Sequence, residues 1–234
     1  MYQVLAINAA GRGHGTTTRL AAAALEGAAA LGAATEMVML KDHDIRFCTN
    51  CLTCYQDRTS RIGPCSLADD VRGILEKLAA ADGVLFASPV HCGFVTGLMT
   101  TFIERAVWPL CLPTGEMLGI KGIPMPRLTD KARVSASIVS AGAIPPHLRQ
   151  YCDTATPYLR EAGPLLCNGP FVGDIYAGAL FPHPLSDEEQ ANSYFFRKLT
   201  DAQLAEAQAL GQAMVRALQA GPQPFRLPEM PAEA

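Results

Sequence analysis

Four cysteines in one short stretch, Cys48-x2-Cys51-x2-Cys54-x10-Cys65, form the densest group of reactive side chains in the chain. Thiolates at this spacing can converge on one face of a loop and ligate a 4Fe-4S cluster, the fourth arriving from further along. The same four could build a tetrahedral zinc site, although the lone x2-x2 triplet suits iron–sulfur better than the paired knuckles of structural zinc. Cys51 and Cys54 could instead be a redox dithiol, or all four could be reduced thiols on a surface loop.

Two other segments point to ligand binding. Between Asn8 and Thr17, Gly11, Gly13 and Gly15 fall within five residues, with Arg12 and His14 between them and Thr16 and Thr17 opening a helix. Backbone N–H groups and hydroxyls in such a loop can surround a phosphate at the helix N-terminus, and Arg12 adds a fixed charge. The loop is neither a Walker loop, lacking Gly-Lys-Ser/Thr, nor the dinucleotide fingerprint, whose glycine spacing differs. The alternative is a Gly-rich connection without a ligand. The second segment, Ser88-Pro89-Val90-His91-Cys92-Gly93-Phe94-Val95-Thr96-Gly97, follows the apolar run Val84 to Ala87. Its Pro and Gly residues let the backbone turn close to a flat ligand, while Val90, Phe94 and Val95 offer apolar contact. Cys92 reads as a packing residue, and Cys111, Cys152 and Cys167 as small buried hydrophobes.

The elements that must position these residues alternate. Tyr2 to Ile7, Thr35 to Leu40, Val84 to Ser88, Arg133 to Ser140 and Gly169 to Ala179 read as strands. Thr17 to Leu31, with Gly32 as its C-terminal cap, Leu67 to Ala81, a segment starting near Thr96, His147 to Ala162 despite Pro157, and Asp201 to Leu218 read as helices. Trp108 to Arg127 reads as an irregular, Pro-rich piece that reaches over the ligand or makes a dimer contact. Strands alternating with helices imply a parallel sheet with right-handed crossovers. The expected fold is α/β, a flavodoxin-like three-layer sandwich with a five-stranded parallel sheet of order 2-1-3-4-5 and helices on both faces. In that order the loops after strands one and three share the crevice at the switch point. A third loop, Ser140-Ala141-Gly142-Ala143-Ile144-Pro145-Pro146, lies on the same sheet edge.

A single domain is expected over residues 1–220, followed by a Pro-rich arm or tail over 221–234. A formal net charge of -3 leaves no electrostatic footprint for nucleic acid. No basic region precedes a long apolar segment at the N-terminus, and no apolar run approaches the length of a membrane span. The expectation is a soluble cytoplasmic protein, in which clustered cysteines point to metal or redox chemistry more than to disulfides.

The run from Ser88 to Arg105 resembles the signature Ser-Pro-Val/Ile-Tyr-x-Gly-x-x-Thr/Ser-Gly-x-x-Lys-x-Phe-x-Asp-Arg of the NAD(P)H-dependent FMN reductase and iron-sulfur flavoprotein group of the flavodoxin-like superfamily. Gly15-Thr16-Thr17 is similar to the end of that group's phosphate loop, with Asn8-Ala9 in place of Gly-Ser and Arg12 displaced. The compact cysteine run is similar too, with a longer last gap before Cys65, and His91 stands where the group often has Tyr. The resemblance covers residues 1–145. It implies that Gly11, Arg12, Gly13, His14, Gly15, Thr16 and Thr17 surround the FMN phosphate. Pro89, Val90, His91, Cys92, Gly93 and Phe94 would line the isoalloxazine, and Ser140, Ala141 and Gly142 would approach its other side. His91 and Ser140 are then the side chains placed to tune the ring, with the chemistry on FMN rather than on a catalytic residue. The implied activity passes electrons from NAD(P)H through FMN to a quinone, a flavin, another small acceptor, a redox protein or a 4Fe-4S cluster on Cys48, Cys51, Cys54 and Cys65. The implied assembly is a homodimer or homotetramer. The rival reading is a flavodoxin-type carrier or FMN-binding module without enzymatic activity, its cysteines binding zinc or acting as redox thiols.

Overall fold

In the computed structural model, residues 1–142, 144–178, 186–191 and 199–228 are described. The chain runs β1 (Gln3–Asn8), α1 (Thr16–Ala30), β2 (Ala34–Met39), α2 (Thr53–Gln56), α3 (Val71–Ala80), β3 (Gly83–His91), β4 (Phe94–Val95) and α4 (Gly97–Leu110). It continues through β5 (Cys111–Met117), β6 (Ile120–Pro126), β7 (Val134–Ser140), α5 (Arg149–Cys152), α6 (Ala155–Cys167), β8 (Phe171–Ala177), α7 (Asp187–Ala191) and α8 (Asp201–Gln219).

The main sheet has the order β2-β1-β3-β7-β8, all parallel, with β4 folded back on the end of β3. Counting only the parallel strands, this is the expected order 2-1-3-4-5. β3 and β7 are central and buried almost throughout, which explains why they read as continuous apolar or small-residue runs rather than as alternating patterns. Two apolar layers cover the sheet. On one face Leu20, Ala24 and Ala28 of α1 meet Leu210, Met214 and Val215 of α8. The other face packs Ile74, Leu75 and Leu78 of α3, Phe102 and Ile103 of α4 and Leu159 and Leu166 of α6.

The α1–α8 crossing is unusually close. A Cβ on Gly211 would stand 1.7 Å from the Ala24 carbonyl oxygen, and one on Gly27 would stand 2.0 Å from that of Gln208. The small residues of α1 thus bring two backbones together over β1 and β3. Gly32, at φ +82°, closes α1 as expected, its N–H donating to the Ala29 carbonyl.

Four expectations change. Residues 111–126 form an antiparallel ribbon, β5 with β6, where an irregular segment was expected. Its turn, Leu118-Gly119, has positive φ at both positions, as a two-residue type I′ hairpin requires, and an isolated ribbon tolerates proline because its outer edges need no ladder bonds. β3 reaches His91 rather than stopping at Ser88, because Val90 pairs with Val95 and His91 with Phe94. The expected helix over 147–162 breaks at Asp153 and Thr154, and α6 starts at Ala155. Pro157 therefore falls in the first turn, where a missing N–H leaves no bond unmade. The helix expected from Leu67 begins at Val71. Ala143, Ala179 and residues 229–234, included in the expected third loop, last strand and tail, lie outside the described residues. The described part of the tail has no regular structure and is tied down where the Phe225 N–H donates to Asn168 Oδ1 (3.3 Å).

Candidate functional site

Parallel strands end together, so the loops after β1, β3 and β7 reach one rim of the sheet. They enclose a cleft of about 600 Å³ lined by Gly11, Arg12, Gly15, Thr16, Thr17, Pro89, Val90, His91, Cys92, Gly93, Ser140, Ala141 and Gly142, together with Ala10, Ile144 and Cys152. Three residues singled out in the sequence do not line it. Gly13 and His14 sit on the turn beyond the wall, and Phe94 packs against Tyr158 with ring centroids 4.9 Å apart. Cys152 was not legible as a site residue, because it arrives from α5, across a turn whose position nothing local encodes.

The β1 loop is held from below by Asn8, which is fully buried. Its Nδ2 donates to Thr18 Oγ1 (3.1 Å), and its Oδ1 accepts the Ala10 N–H (2.9 Å). Thr18 Oγ1 in turn donates to the Arg12 carbonyl (2.9 Å), fixing the bend. The N-cap of α1 is Gly15, with no side-chain capping bond, whereas α4 is capped by Thr96 and α8 by the Thr200–Gln203 capping box. First-turn N–H groups at α1 therefore face the cleft beside Thr16 and Thr17 with no side chain claiming them. A Cβ on Gly11 or Gly13 would meet nothing within 4 Å, so this part of the loop is open.

The β3–β4 loop is a tight hairpin. Cys92 (φ +52°) and Gly93 (φ +79°) are its two central residues, and the left-handed backbone at both turns the chain within two residues. Ser88 Oγ accepts the Thr96 N–H (3.0 Å), and Thr96 Oγ1 donates to the Ala9 carbonyl (3.3 Å), so this loop is locked to the β1 loop. The Gly93 carbonyl accepts from both the N–H (2.9 Å) and the hydroxyl (2.7 Å) of Thr154, and a Cβ on Gly93 would stand 3.1 Å from the Cys152 carbonyl oxygen. Across the cleft Thr17 Oγ1 and Ser140 Oγ lie 2.6 Å apart, joining the first and third loops. Ser140 is thus buried and engaged, while His91 is exposed on the rim.

Cys48, Cys51, Cys54 and Cys65 line one small pocket with Glu104, Arg105 and Trp108 of α4. The loop that carries them is fastened to the rest of the fold by two buried guanidinium groups. Arg127 donates to the carbonyls of Cys54 (2.8 Å), Asp57 (2.6 Å), Ser60, Trp108 and Cys111 and to Asp57 Oδ1 (3.1 Å). Arg105 bonds the Arg46 carbonyl (2.6 Å), both Asp69 oxygens (2.6 and 3.1 Å) and Cys65 Sγ (3.3 Å). Burial pushes the Asp69 carboxyl upward, yet the hydrogen bonds and charge of Arg105 outweigh it and hold it below the usual carboxylate range. Hydrogen bonds from Ser66 Oγ (3.0 Å) and Thr53 Oγ1 (3.4 Å) pull the Cys51 thiol down to about 6. Burial, and then the charge of neighbouring Cys65, push Cys54 up. Among the described residues no three His, Cys, Asp or Glu groups stand close enough to hold a single metal ion. Neither arginine was foreseen, although Arg105 closes the quoted motif and Arg127 the Pro-rich piece; their roles depend on long-range contacts that no local pattern announces.

A parallel sheet of this order, with its cleft at the switch point, defines a flavodoxin-like protein. The chain belongs to the NADPH-dependent FMN reductase family, whose profile matches residues 2–143. An iron-sulfur flavoprotein of Methanocaldococcus jannaschii is 34% identical over 104 residues, 44% of this chain and 51% of the relative. One of Archaeoglobus fulgidus is 36% identical over 76 residues, 32% of this chain and 35% of the relative. The matched stretches thus span about half or less of these relatives. Among solved structures, an FMN-dependent NADH-azoreductase from Bacillus anthracis in complex with FMN superposes with a TM-score of 0.58 at 13% identity, covering 94% of this chain and 100% of its own. The NAD(P)H:quinone oxidoreductase of Methanothermobacter marburgensis gives 0.58 at 16% identity, covering 90% and 98%. At these identities the likeness is one of fold.

Proposed function

We propose that the protein is an FMN-dependent oxidoreductase that takes electrons from NAD(P)H and passes them to a flat small acceptor, such as a quinone or a free flavin, or to a redox protein, with a 4Fe-4S cluster on Cys48, Cys51, Cys54 and Cys65. The observation that carries this reading is the convergence of three loops on one cleft whose floor is an uncapped helix N-terminus. The volume, about 600 Å³, suits a ligand of this class. The open backbone at Gly11 and the uncapped first turn at Thr16 and Thr17 fit a phosphate, and Arg12 supplies the opposite charge. The hairpin over Pro89 to Gly93 fits a planar ring, because its tight turn at Cys92 and Gly93 sets backbone along the cleft wall. Held there, FMN would supply the chemistry of taking up a hydride and giving up electrons singly or in pairs. The residues of this chain bind and orient it: Thr17 and Ser140 fix two walls against each other, and Ser88 and Thr96 fix the third. His91, on the rim, is the side chain placed to meet a second ring stacking from outside.

The donor set supports a cluster in the second pocket: four free thiols, two buried arginines beneath the loop, and relatives bearing the name iron-sulfur flavoprotein. Helix α4 connects the two sites, with Thr96 pinning the flavin loops and Arg105 reaching the cysteines nine residues, about 14 Å of helix rise, further on. We also read residues 1–220 as one domain with 221–234 as an arm, and the protein as a cytoplasmic homodimer or homotetramer. Exposed Leu118 and Ile120 at the β5–β6 tip support self-association, and no helix among the described residues is long and apolar enough to cross a membrane.

The test is anaerobic oxidation of NADH and NADPH by the FMN-loaded protein with a quinone or free flavin as acceptor. Turnover that depends on both FMN and nicotinamide is expected. FMN binding without nicotinamide oxidation would assign the protein to the carriers instead.

A further inference from the structure

Arg105 is a charged side chain spent on the cysteine loop. It lies on the third turn of α4 with its side chain 2% exposed, and its guanidinium is held rigidly by Asp69, whose side chain is 1% exposed, and by the Arg46 carbonyl. That leaves one Nη2–H directed at Cys65 Sγ, 3.3 Å away. A structural ion pair would be complete with Asp69 alone, and burying it costs desolvation that the pair itself does not clearly offset. A charged donor placed against sulfur also responds to any change in the charge that sulfur carries. Asp69 also anchors the loop directly, accepting the backbone N–H of Arg46 (3.1 Å) and that of Val71 (3.3 Å), so the Arg105–Asp69 pair sets where Cys65 stands despite the ten-residue gap before it.

We propose that Arg105 is a positioning residue whose charge-assisted N–H···S bond to Cys65 raises the reduction potential of the cysteine centre, without being required for Cys65 to serve as its fourth thiolate. This rests on the cluster reading above. Reduction adds one electron to the cluster and increases negative charge on its sulfurs. A buried donor carrying a positive charge stabilises that form more than the oxidised one. In a titration dithionite supplies the electron; in turnover the flavin, reduced by NAD(P)H, would supply it. Asp69 works through Arg105 by keeping the guanidinium from turning elsewhere.

The experiment uses the full-length protein, purified or reconstituted without air, with iron and acid-labile sulfide analysis and a redox titration followed by electron paramagnetic resonance. Arg105→Lys keeps the charge with poorer geometry; Arg105→Gln removes it. Because Arg105→Gln strands the buried Asp69 carboxylate, the double variant Arg105→Gln/Asp69→Asn serves where the single one does not fold. The expected result is wild-type iron content in Arg105→Lys and in whichever glutamine variant folds. With it, the glutamine variant should show at least a tenfold lower reduced-to-oxidised ratio at a fixed potential, about 59 mV for a one-electron couple. Arg105→Lys should lose less. An unchanged midpoint at full iron content would overturn the proposal and leave the cluster reading standing, and so would loss of iron from both variants with the flavin retained, which reports a purely structural role. Wild-type protein that takes up no iron would overturn both.

Discussion

At the level of single residues, the Thr17–Ser140 hydroxyl pair is the most direct link between two walls of the cleft. Removing one partner strands the other in a buried place, at about 1–3 kcal/mol. Ser140→Ala is expected to weaken FMN binding about fivefold or more, measured by quenching of flavin fluorescence, while leaving the thermal midpoint within a few degrees. The thiols divide in the same local way. Cys111 and Cys167, pushed up to about 12 by burial, should stay unmodified by iodoacetamide at pH 8 until the protein is unfolded. In iron-free protein Cys51, pulled down to about 6, should react with a rate that rises as pH passes upward through that value and then levels off, followed by peptide mass spectrometry. The expectation of small buried thiols fits Cys111 and Cys167 and does not fit Cys152, which borders the cleft.

Elements explain why the cleft is rigid. The hairpin at Cys92 and Gly93 needs left-handed backbone at both positions, and Gly93 faces the Cys152 carbonyl. Gly93→Ala adds strain of about 1–2 kcal/mol and a contact that pushes α5 away, so it should lower both the thermal midpoint and FMN affinity. By contrast, Gly211→Ala strikes the α1–α8 crossing far from the cleft, where a methyl meets backbone at 1.7 Å. A loss of about 3 kcal/mol is expected in chemical denaturation, and little effect on FMN affinity in whatever fraction remains folded. Strand and helix placement was legible where periodicity or a buried apolar run carried it, as in β3, β7 and α8. The β5–β6 ribbon was not, because its prolines and glycines read as loop and its pairing is decided by the Leu118-Gly119 turn rather than by alternation. The break before α6 was hidden likewise, since Asp153 and Thr154 end one helix by bonding to the Thr156 N–H and the Gly93 carbonyl, partners that the linear pattern does not show.

Across the whole molecule, α4 is the shaft on which the cleft and the cysteine pocket are mounted: its N-cap ties the loops after β1 and β3 together, and its third turn holds the cysteine loop. The loops after β1, β3 and β7 were legible as the lining of one cleft because glycine, proline and hydroxyl residues follow apolar strands. That they share one cleft follows from strand order, which the alternation of elements already implied. What no segment announced is the pair of buried arginines under the cysteine loop, whose partners lie up to 73 positions away. The central claim is that the three loops form an FMN site, and stoichiometric titration of the flavin-free protein with FMN, read by fluorescence quenching, tests it most directly. One FMN bound per chain, with affinity lowered in Ser140→Ala and Gly93→Ala and unchanged in the folded fraction of Gly211→Ala, is the predicted result. A flavin-free protein that takes up no FMN, or one whose affinity is indifferent to both cleft variants, would contradict it.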